Sequence, residues 1–522
     1  MGEGAVMGEG AVMGEGIVVL DGRSLRVADV VRLAEGVARP VPGAEAVRRV
    51  EDSWATAREL AESGRVYGRS TGVGANRNES VAGEAAAEHG LRLLRSHAGA
   101  IGAPLPAREV RAMLAVRANQ LLAGGAGLRP AVVTALCEVL DSGAHPVVNE
   151  FGSVGTGDIA ALAQAGLALA GEHPWAAGPA PAPLPLDNND ALALISSNAL
   201  TLGQSALALG ELRRLIAATQ VVGALSLLAV DGSYEAYAEP VHAARPHPGS
   251  YAVAARSRRL LGAPERPAPP AGRIQDPYAF RCLPQIHGPA EDAADALETT
   301  LAVELNAAAE NPLISVEDRA AYHHGGFYLA QLALALDHFR LALMQVAQLS
   351  ASRLAALNEP ALTRLKPFLA DQEPASSGVM ILEYAAAAAL GELRSFAHPA
   401  SLGHVVLSRG VEEQASFASL AARQTLRAAA PLRLVVGCEL VAAIRALRMR
   451  GPRPASGLPV GEAFALAAEI LDEDLGDRPL TDDVTAAAAL LDRFADLQVM
   501  RSERQEGREG RMGYEGYEES RR

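Results

Sequence analysis

Long segments rich in alanine and leucine, with few charges, constrain the fold of this chain more than any other feature. Several exceed twenty residues, and they fall at 191–230, 291–309, 328–357, 379–396, 412–448 and 460–471. A helix that is apolar nearly all round has to be buried in a bundle or at a subunit contact. Aromatic residues make up only 4% of the chain, and β-branched runs are few. We therefore predict a mainly α fold with a long central helical bundle, in an oligomer.

Four regions are expected along the chain. Residues 1–16 repeat a short acidic, glycine-containing unit and lack the apolar core of a signal peptide, so we expect a disordered tail. Residues 17–200 are expected to form a small mixed N-terminal part with a short strand, helices and two glycine-rich loops. The long bundle and the C-terminal helices should occupy residues 201–500. Residues 501–522 are charged and contain glycine, which is typical of a solvated tail.

Composition and residue spacing argue against several classes of function. A formal net charge of -14, without a basic stripe, argues against nucleic acid as a partner. Only three cysteines occur, scattered and without metal-ligand spacing, which favours a reducing cytoplasm. Polar residues within 191–210 favour a buried helix of a soluble protein over a membrane span. The adjacent His323 and His324 lack the spacing and the further ligands of a helix metal site, so we expect neither a metal nor a nucleotide cofactor.

A stretch of small residues before Asp158 is the most distinctive local feature. Gly155, Thr156 and Gly157 directly precede Asp158, and an Ala/Leu run at helical spacing begins after it. This order predicts a tight backbone passage that ends at a helix N-terminus, with Thr156 or Asp158 as the cap. Such a passage can hold an anion, allow close backbone approach to a ligand, or become a chemically modified peptide. An ordinary capped turn is the alternative.

Three other positions are candidates for chemistry, each with a plain structural alternative. Tyr67 lies in a glycine-rich loop, where it is either a packed anchor or a general base beside a ligand. His97 interrupts an apolar-periodic stretch and is either a satisfied core residue or part of a site. Glu412 is predicted to open a long helix, where its carboxylate favours the helix dipole or faces a cavity.

The segment 273–285 gathers an amide, an acid, a phenol and a guanidinium within a few residues. Because a buried arginine needs an anionic partner, a substrate carboxylate is one candidate for Arg281. The alternative is a structural ion pair of Asp276 with Arg281 or with Arg273.

These motifs, in this order, resemble the aromatic amino acid ammonia-lyase family, with the histidine ammonia-lyase branch closest. The similarity extends from about Val18 to Leu491. It includes motifs at 67–74, 93–102, 149–162, 273–285, 304–313, 377–380, 397–401 and 477–480. Because so many motifs occur in the same order, the chain is identified as a member of this family.

The resemblance implies a fold and a reaction. The fold would be of the ammonia-lyase type, similar to that of fumarase and aspartase, in a homotetramer whose active sites are shared between subunits. The reaction would eliminate ammonia from histidine or an aromatic α-amino acid to give an α,β-unsaturated acid. Family members use an electrophilic ring, 4-methylidene-imidazol-5-one, made from an internal Ala-Ser-Gly tripeptide. The glycine nitrogen attacks the carbonyl of the first residue, and dehydration of the serine creates the alkene.

The resemblance also implies roles for individual residues. Tyr67 would take the β-proton, which requires a depressed pKa or a nearby positive charge. His97 would line the pocket for the substrate side chain, and Arg281 would hold the substrate carboxylate. Further residues of the cavity would be Gln275, Tyr278, Phe327, Glu412, Asn198 and Glu383.

The chain departs from the family pattern around the electrophile. The tripeptide position holds Gly155-Thr156-Gly157, so the alkene of a self-formed imidazolone ring would carry an extra methyl group and would be more hindered. The Asn-Gly pair that the family places later is Ser196-Ser197 here, with an asparagine only at Asn198. At three further positions where the family has an amide side chain, this chain has Gly326, Val411 and Glu383.

Three hypotheses follow from this pattern. The first is an ammonia-lyase with a threonine-derived ring. The second is an enzyme without the ring, or one of aminomutase type, that uses Tyr67 and Arg281 on a related amino or carboxylic acid. The third is a non-catalytic homologue that serves as a binding or partner subunit.

Overall fold

The computed structural model describes residues 16–64, 66–81, 84–269, 272–451 and 454–497. The predicted tail at 501–522 lies outside these residues, as does the predicted tail at 1–16 except for Gly16.

Helices account for most of the described chain. They are α1 Val27–Ala34, α2 Ala44–Ser63, α3 Glu84–His97, α4 Ala107–Leu122, α5 Pro130–Ser142, α6 Ile159–Leu169, α7 Asn188–Ile195, α8 Ala199–Ala229, α9 Glu239–Ala243, α10 Pro248–Leu261, α11 Tyr278–Arg281, α12 Leu283–Glu304, α13 Ala330–Leu357, α14 Pro360–Thr363, α15 Ile381–Phe396, α16 Ala418–Arg427, α17 Ala429–Arg450 and α18 Pro459–Ile470. Residues 481–497 are also helical.

Strands are short and form two-stranded sheets. They are β1 Ile17–Leu20, β2 Arg39–Pro42, β3 Ile101–Pro104, β4 His145–Pro146, β5 Asn149–Phe151, β6 Trp175–Ala177, β7 Leu313–Ser315 and β8 Ala320–Tyr322. The pair β1–β2 is parallel, with Ile17 opposite Arg39. The pairs β3–β5, β4–β6 and β7–β8 are antiparallel.

The chain divides into two compact units that are not contiguous in sequence. The first comprises 1–207, 298–334 and 400–423, and the second comprises 208–297, 335–399 and 424–522. The strands named above all fall in the first unit. The predicted boundary near residue 200 is close to the first break, but backbone contacts group two later segments with the N-terminal part.

Helix α17 shows how completely one of these helices is buried. Every residue from 435 to 447 is buried, so the helix has no solvent face in this part. The predicted mainly α fold is confirmed by helices of this kind. The stretch Asn188–Ala229 is long and apolar enough to cross a membrane by length and composition alone, and 78% of its most apolar window is buried within the structure.

The predicted helix over 191–230 is interrupted at residues 196–198, which separate α7 from α8. Ser196 has ψ of 70°, outside the helical range, and the carbonyl of Ser197 accepts a hydrogen bond from the backbone N–H of Asp158 at 2.7 Å. The Asp158 carboxylate accepts a hydrogen bond from Thr201 N, in the first turn of α8. Periodicity could not reveal this break because both helices are apolar.

The prediction that Glu412 opens a helix is wrong. Helix α16 begins at Ala418, and Glu412 instead pairs with Leu407 in an isolated antiparallel bridge. Phe417 has φ of 53°, which no helix continues through, and its N–H donates to Val154 O at 2.9 Å. The helix dipole therefore does not account for the carboxylate at Glu412.

A buried ion pair stabilises the second unit. Arg353 donates two hydrogen bonds to the Glu439 carboxylate, at 2.6 and 2.8 Å, and both side chains are 0% exposed. The hydroxyls of Ser226 and Ser350 donate to the same carboxylate, each at 2.6 Å. Both carboxylate oxygens of Glu439 thus accept two hydrogen bonds each from neighbouring side chains in the bundle.

We expect Glu439→Leu to lower the free energy of unfolding by about 3–5 kcal/mol, because it leaves the Arg353 charge buried without a partner. Urea denaturation followed by circular dichroism measures this change. The double variant Arg353→Met/Glu439→Leu should recover part of the loss. Arg39→Ala, which breaks the largely exposed pair with Asp141, is the control and should have a much smaller effect. Equal effects of Glu439→Leu and Arg39→Ala would contradict the prediction.

Candidate active site

A cavity of about 540 Å³ in the first unit brings together several residues that the sequence singles out. Tyr67, Thr156, Gly157, Phe327 and Glu412 all line it. Its volume falls within the range of roughly 300–1,000 Å³ that is common for small-molecule sites. The second unit holds a cavity of about 580 Å³, but none of the predicted site residues lines it. The cavity in the first unit is therefore the candidate active site.

The backbone at Gly155–Gly157 adopts a conformation that favours glycine on both sides of Thr156. Gly155 has φ of 87° and Gly157 has φ of 126°. A Cβ atom on Gly155 would lie 2.3 Å from Ser416 Oγ and 2.7 Å from Ala418 N. The alanine that the resemblance implies at this position would not fit this backbone.

Hydrogen bonds hold both peptide groups next to Thr156. The Gly155 carbonyl accepts a hydrogen bond from Ser416 Oγ at 2.7 Å. The Gly157 N–H donates to Asn198 Oδ1 at 3.0 Å. The hydroxyl of Ser153 donates to the Gly157 carbonyl at 3.2 Å and accepts from Gly155 N at the same distance. The loop is thus fixed by side chains from three separate segments of the chain.

Asp158 lies at the N-cap position of α6, as the sequence predicts, but it makes no cap hydrogen bond to that helix. Its carboxylate accepts instead from Thr201 N at 2.7 Å and from Thr201 Oγ1 at 2.9 Å. The side chain is almost fully buried, and burial raises the pKa of Asp158 although these hydrogen bonds oppose the shift. The carboxyl group therefore serves the first turn of α8, where an acceptor is favourable.

Tyr67 presents its phenol to the cavity. The Tyr67 hydroxyl accepts a hydrogen bond from Gly74 N at 2.8 Å, and its ring meets His323 edge-on at 6.3 Å between centroids. Burial raises the pKa of Tyr67, the Gly74 hydrogen bond lowers it, Glu412 raises it and Arg77 lowers it, with a net increase. The depressed pKa expected for a base is not found in this chain, but the positive charge of Arg77 lies in the same cavity.

Asn198 lies behind the cavity rather than on its surface. It is 1% exposed, and its Nδ2 donates to the Phe327 carbonyl at 2.8 Å while its Oδ1 accepts from Gly157. Ser196 does line the cavity, and its Oγ accepts from Asn311 N at 3.0 Å. Asn198 thus connects the loop that contains Gly157 with the segment that contains Phe327.

Besides Asn198, two predicted residues of the first unit do not line this cavity. Gly155 is buried beneath it, against Ser416. His97 is half-buried at the end of α3, where its Nδ1 lies 2.9 Å from both Leu93 O and Ser96 Oγ. These local partners agree with the alternative of a satisfied histidine, and a role in the pocket stays a prediction.

Gln275, Tyr278, Arg281 and Glu383 belong to the second unit. Asp276 pairs with Arg273 at 2.7 Å, which is one of the two ion pairs considered above. The Arg281 guanidinium lies over the Tyr278 ring at 4.4 Å, and its Nε has no hydrogen-bond partner among the described residues. Glu383 accepts from Asn358 at 2.7 Å.

The cavity also contains two residues that the sequence did not single out, Arg77 and Tyr328, and three to which it assigned no role in the site, Asn311, Glu413 and Gln414. Arg77 lies only three residues after Gly74, the last residue of the motif 67–74, so a slightly longer motif would have included it. Ser416 lies 261 residues from its partner Gly155, and no local pattern connects the two.

The side chains that line this cavity are suited to proton transfer. A phenol, a carboxylate and a guanidinium lie around a peptide loop whose amide groups are held in place. Within the described ranges, no group of three or more His, Cys, Asp or Glu residues is arranged to hold a metal ion.

Known proteins with similar sequences and folds cover most of the chain. The profile of the family "Aromatic amino acid lyase" matches residues 25–469. The histidine ammonia-lyase of Geobacillus kaustophilus is 36% identical over 454 residues, which cover 84% of this chain and 90% of that protein. The structure of histidine ammonia-lyase from Trypanosoma cruzi shares 27% identity and a TM-score of 0.85, covering 92% of this chain and 95% of that one. Tyrosine aminomutase from Streptomyces globisporus shares 27% identity and a TM-score of 0.86, covering 93% and 98%.

The two charges beside Tyr67 give a test of the cavity's electrostatics. We expect Glu412→Gln to lower the pKa of Tyr67, because it removes a negative charge that opposes the phenolate. Arg77→Gln should raise the pKa, because it removes a cation that favours the phenolate. Ultraviolet difference titration measures both shifts, with Tyr67→Phe identifying the contribution of this tyrosine. Shifts in the same direction for both variants would contradict the described geometry.

Proposed function

The chain belongs to the aromatic amino acid lyase family and is a carbon–nitrogen lyase, and we propose that it acts with a ring formed from its own Gly155-Thr156-Gly157. The reaction is the elimination of ammonia from histidine or an aromatic α-amino acid to give an α,β-unsaturated acid. The observation that carries the proposal is that Thr156 and Tyr67 line one cavity, so a modified peptide and a proton acceptor face the same space.

The peptide groups around Thr156 fit ring formation. The two atoms that must join are the Gly157 nitrogen and the Gly155 carbonyl carbon. The nitrogen and the carbonyl oxygen are each held by one side chain, Asn198 and Ser416. Gly155 has no side chain to obstruct the backbone, and Thr156 has a hydroxyl that can leave as water. The ring would supply an electrophilic alkene to the substrate.

Tyr67 is the proposed acceptor of the β-proton. Its hydroxyl oxygen is already fixed by the Gly74 N–H, so it can meet a substrate in a defined orientation. Burial raises its pKa, so the phenolate has to be favoured by cations near it. Arg77 is one such cation in this cavity. A substrate-bound assembly would add others.

We propose a homotetramer in which the segment containing Arg281 completes the site of a neighbouring subunit. Ile274 and Tyr278 of this segment are 94% and 69% exposed, and exposed apolar side chains of this size commonly mark a contact surface. The unpartnered Nε of Arg281 leaves a donor for a substrate carboxylate, which a guanidinium binds in a bidentate manner. Gln275, on the same segment, is proposed to contact the substrate beside it.

The substrate side chain is proposed to be an imidazole or another aromatic ring, bound by His97 together with Glu383 of the assembled site. The support is the family to which the chain belongs. We also propose a cytoplasmic location without nucleic-acid or membrane partners, in agreement with the net charge of -14 and the free cysteines Cys137, Cys282 and Cys438.

Intact-mass measurement tests the ring directly. We expect each chain to weigh less than its sequence by two water molecules and to show added near-ultraviolet absorbance. Thr156→Ala should abolish the absorbance, because alanine has no hydroxyl to lose. Thr156→Ser should keep both water losses and give a less hindered alkene. An unmodified mass would exclude the ring. The remaining hypotheses would then be an enzyme that works without the ring and a non-catalytic homologue.

Tyr67→Phe tests the proton acceptor. We expect kcat/KM for ammonia release to fall by about 10²–10⁴-fold, the usual contribution of a general base, while the two water losses remain. Tyr328→Phe, a change in the same cavity, is the matched control and should keep most of the activity. Assays with histidine, phenylalanine and tyrosine, with products separated by chromatography, also distinguish an α,β-unsaturated acid from a β-amino acid. Full activity in Tyr67→Phe would exclude this role.

A further inference from the structure

Ring closure in this loop needs help that the peptide itself does not supply. An amide nitrogen is a weak nucleophile and an amide carbonyl is a weak electrophile, so two neighbouring peptide groups do not join unless their environment favours it. Electrostatic stabilisation of a developing oxyanion is commonly the largest single contribution to such acyl chemistry. The question is which side chain meets the carbonyl oxygen of Gly155.

Ser416 meets this oxygen from a buried position. The side chain is 4% exposed, and its hydroxyl donates to Gly155 O at 2.7 Å. The same Oγ accepts the N–H of Ala418 at 3.3 Å, which leaves its proton directed at the carbonyl. We propose that the Ser416 hydroxyl activates the Gly155 carbonyl for attack by the Gly157 nitrogen, a step that rests on the ring formation proposed above.

The local backbone places Ser416 at this oxygen. The next residue, Phe417, has φ of 53°, a left-handed conformation that strains a bulky residue. In this conformation the Phe417 N–H donates to Val154 O, directly beside the Ser416 contact. Two consecutive residues of one segment therefore hold the backbone before Thr156, and these contacts help to offset the strain.

Glycine at position 155 is what permits the contact. A Cβ atom there would lie 2.3 Å from Ser416 Oγ, well inside van der Waals distance. Any other residue at this position would displace the hydroxyl from the carbonyl oxygen. The unusual first residue of the tripeptide and the serine donor thus belong to one arrangement.

Asn198 completes the arrangement at the nitrogen. Its Oδ1 accepts the Gly157 N–H at 3.0 Å, and its orientation is set because Nδ2 donates to the Phe327 carbonyl. An oxygen that accepts from this N–H raises the electron density on the nitrogen and so favours it as a nucleophile. The side chain is an amide, so it orients the group and does not itself take the proton.

The atoms of the step balance without a further reagent. A bond forms between the Gly157 nitrogen and the Gly155 carbonyl carbon, and the amide proton of Gly157 is transferred in net terms to the former carbonyl oxygen, with Ser416 donating to that oxygen. The resulting hydroxyl leaves as water together with the amide proton of Thr156, which creates a carbon–nitrogen double bond. The Thr156 hydroxyl then leaves as water with the Thr156 α-proton, which creates the alkene.

Intact mass and peptide fragmentation across 155–157 test the proposal in the full chain. We expect Ser416→Ala to slow ring closure by about 10²–10³-fold, as removal of one oxyanion donor does, so that freshly synthesised protein contains mainly open peptide with at most one water lost. Ser419→Ala is the matched control, because Ser419 Oγ donates to the Ser153 carbonyl at 2.9 Å and touches no atom of the ring. This control should lose both waters at the rate of the unaltered chain.

Ser416→Cys, with a weak thiol donor of similar size, should close the ring at an intermediate rate, and it decides the matter if Ser416→Ala does not fold by circular dichroism. Ring closure in Ser416→Ala at the same rate as in the unaltered chain would overturn the proposal and leave the function above intact. An unaltered chain without water losses would overturn both.

Discussion

A buried carboxylate holds the parts of the candidate site in register. Asp158 is 1% exposed, and both of its oxygens accept hydrogen bonds from Thr201 in the first turn of α8, while its N–H donates to the carbonyl of Ser197. Hydrogen bonds of this kind avoid the cost of leaving a buried carboxyl group without partners. These bonds tie the start of α6 to the start of α8, and the same connection brings Asn198 to the nitrogen of Gly157.

Most of the fold follows from composition because the constraint is general. Helices such as α8 and α17 are buried along most of their length, and a bundle is the arrangement that buries them. The positions at which the helices begin and end do not follow from composition. The break between α7 and α8 and the late start of α16 are set by hydrogen bonds to Asp158 and Val154, which lie far away in the sequence. Hydrophobic periodicity carries no information about such partners, so the long segments could be predicted and their ends could not.

The residues of the candidate site likewise fall into those that a sequence pattern reveals and those that it does not. Tyr67 and Thr156 could be found because each lies in a glycine-rich passage with a recognisable pattern, and the cavity contains both. Ser416 could not be found, because a single serine in a segment of ordinary composition has no signature until its partner is known. Arg281 is a third case, since its sequence pattern is clear but it belongs to the second unit, and its place in a site stays a proposal. Sequence patterns thus identify reactive side chains more readily than the groups that position them.

The two departures in the tripeptide have different chemical weight. The proposed ring closure uses only the backbone carbonyl of residue 155, so packing alone determines which side chain is possible there. The structure leaves no room at this position for even a methyl group. Glycine at this position is therefore compatible with an active loop. Thr156 is the substantive change, because its methyl group would remain on the carbon that the substrate attacks. If the ring forms as proposed, a nucleophile approaching that carbon would have to pass this methyl within a cavity bounded by Tyr67 and Phe327. The reactivity of such a ring would therefore depend on how the cavity accommodates one methyl group.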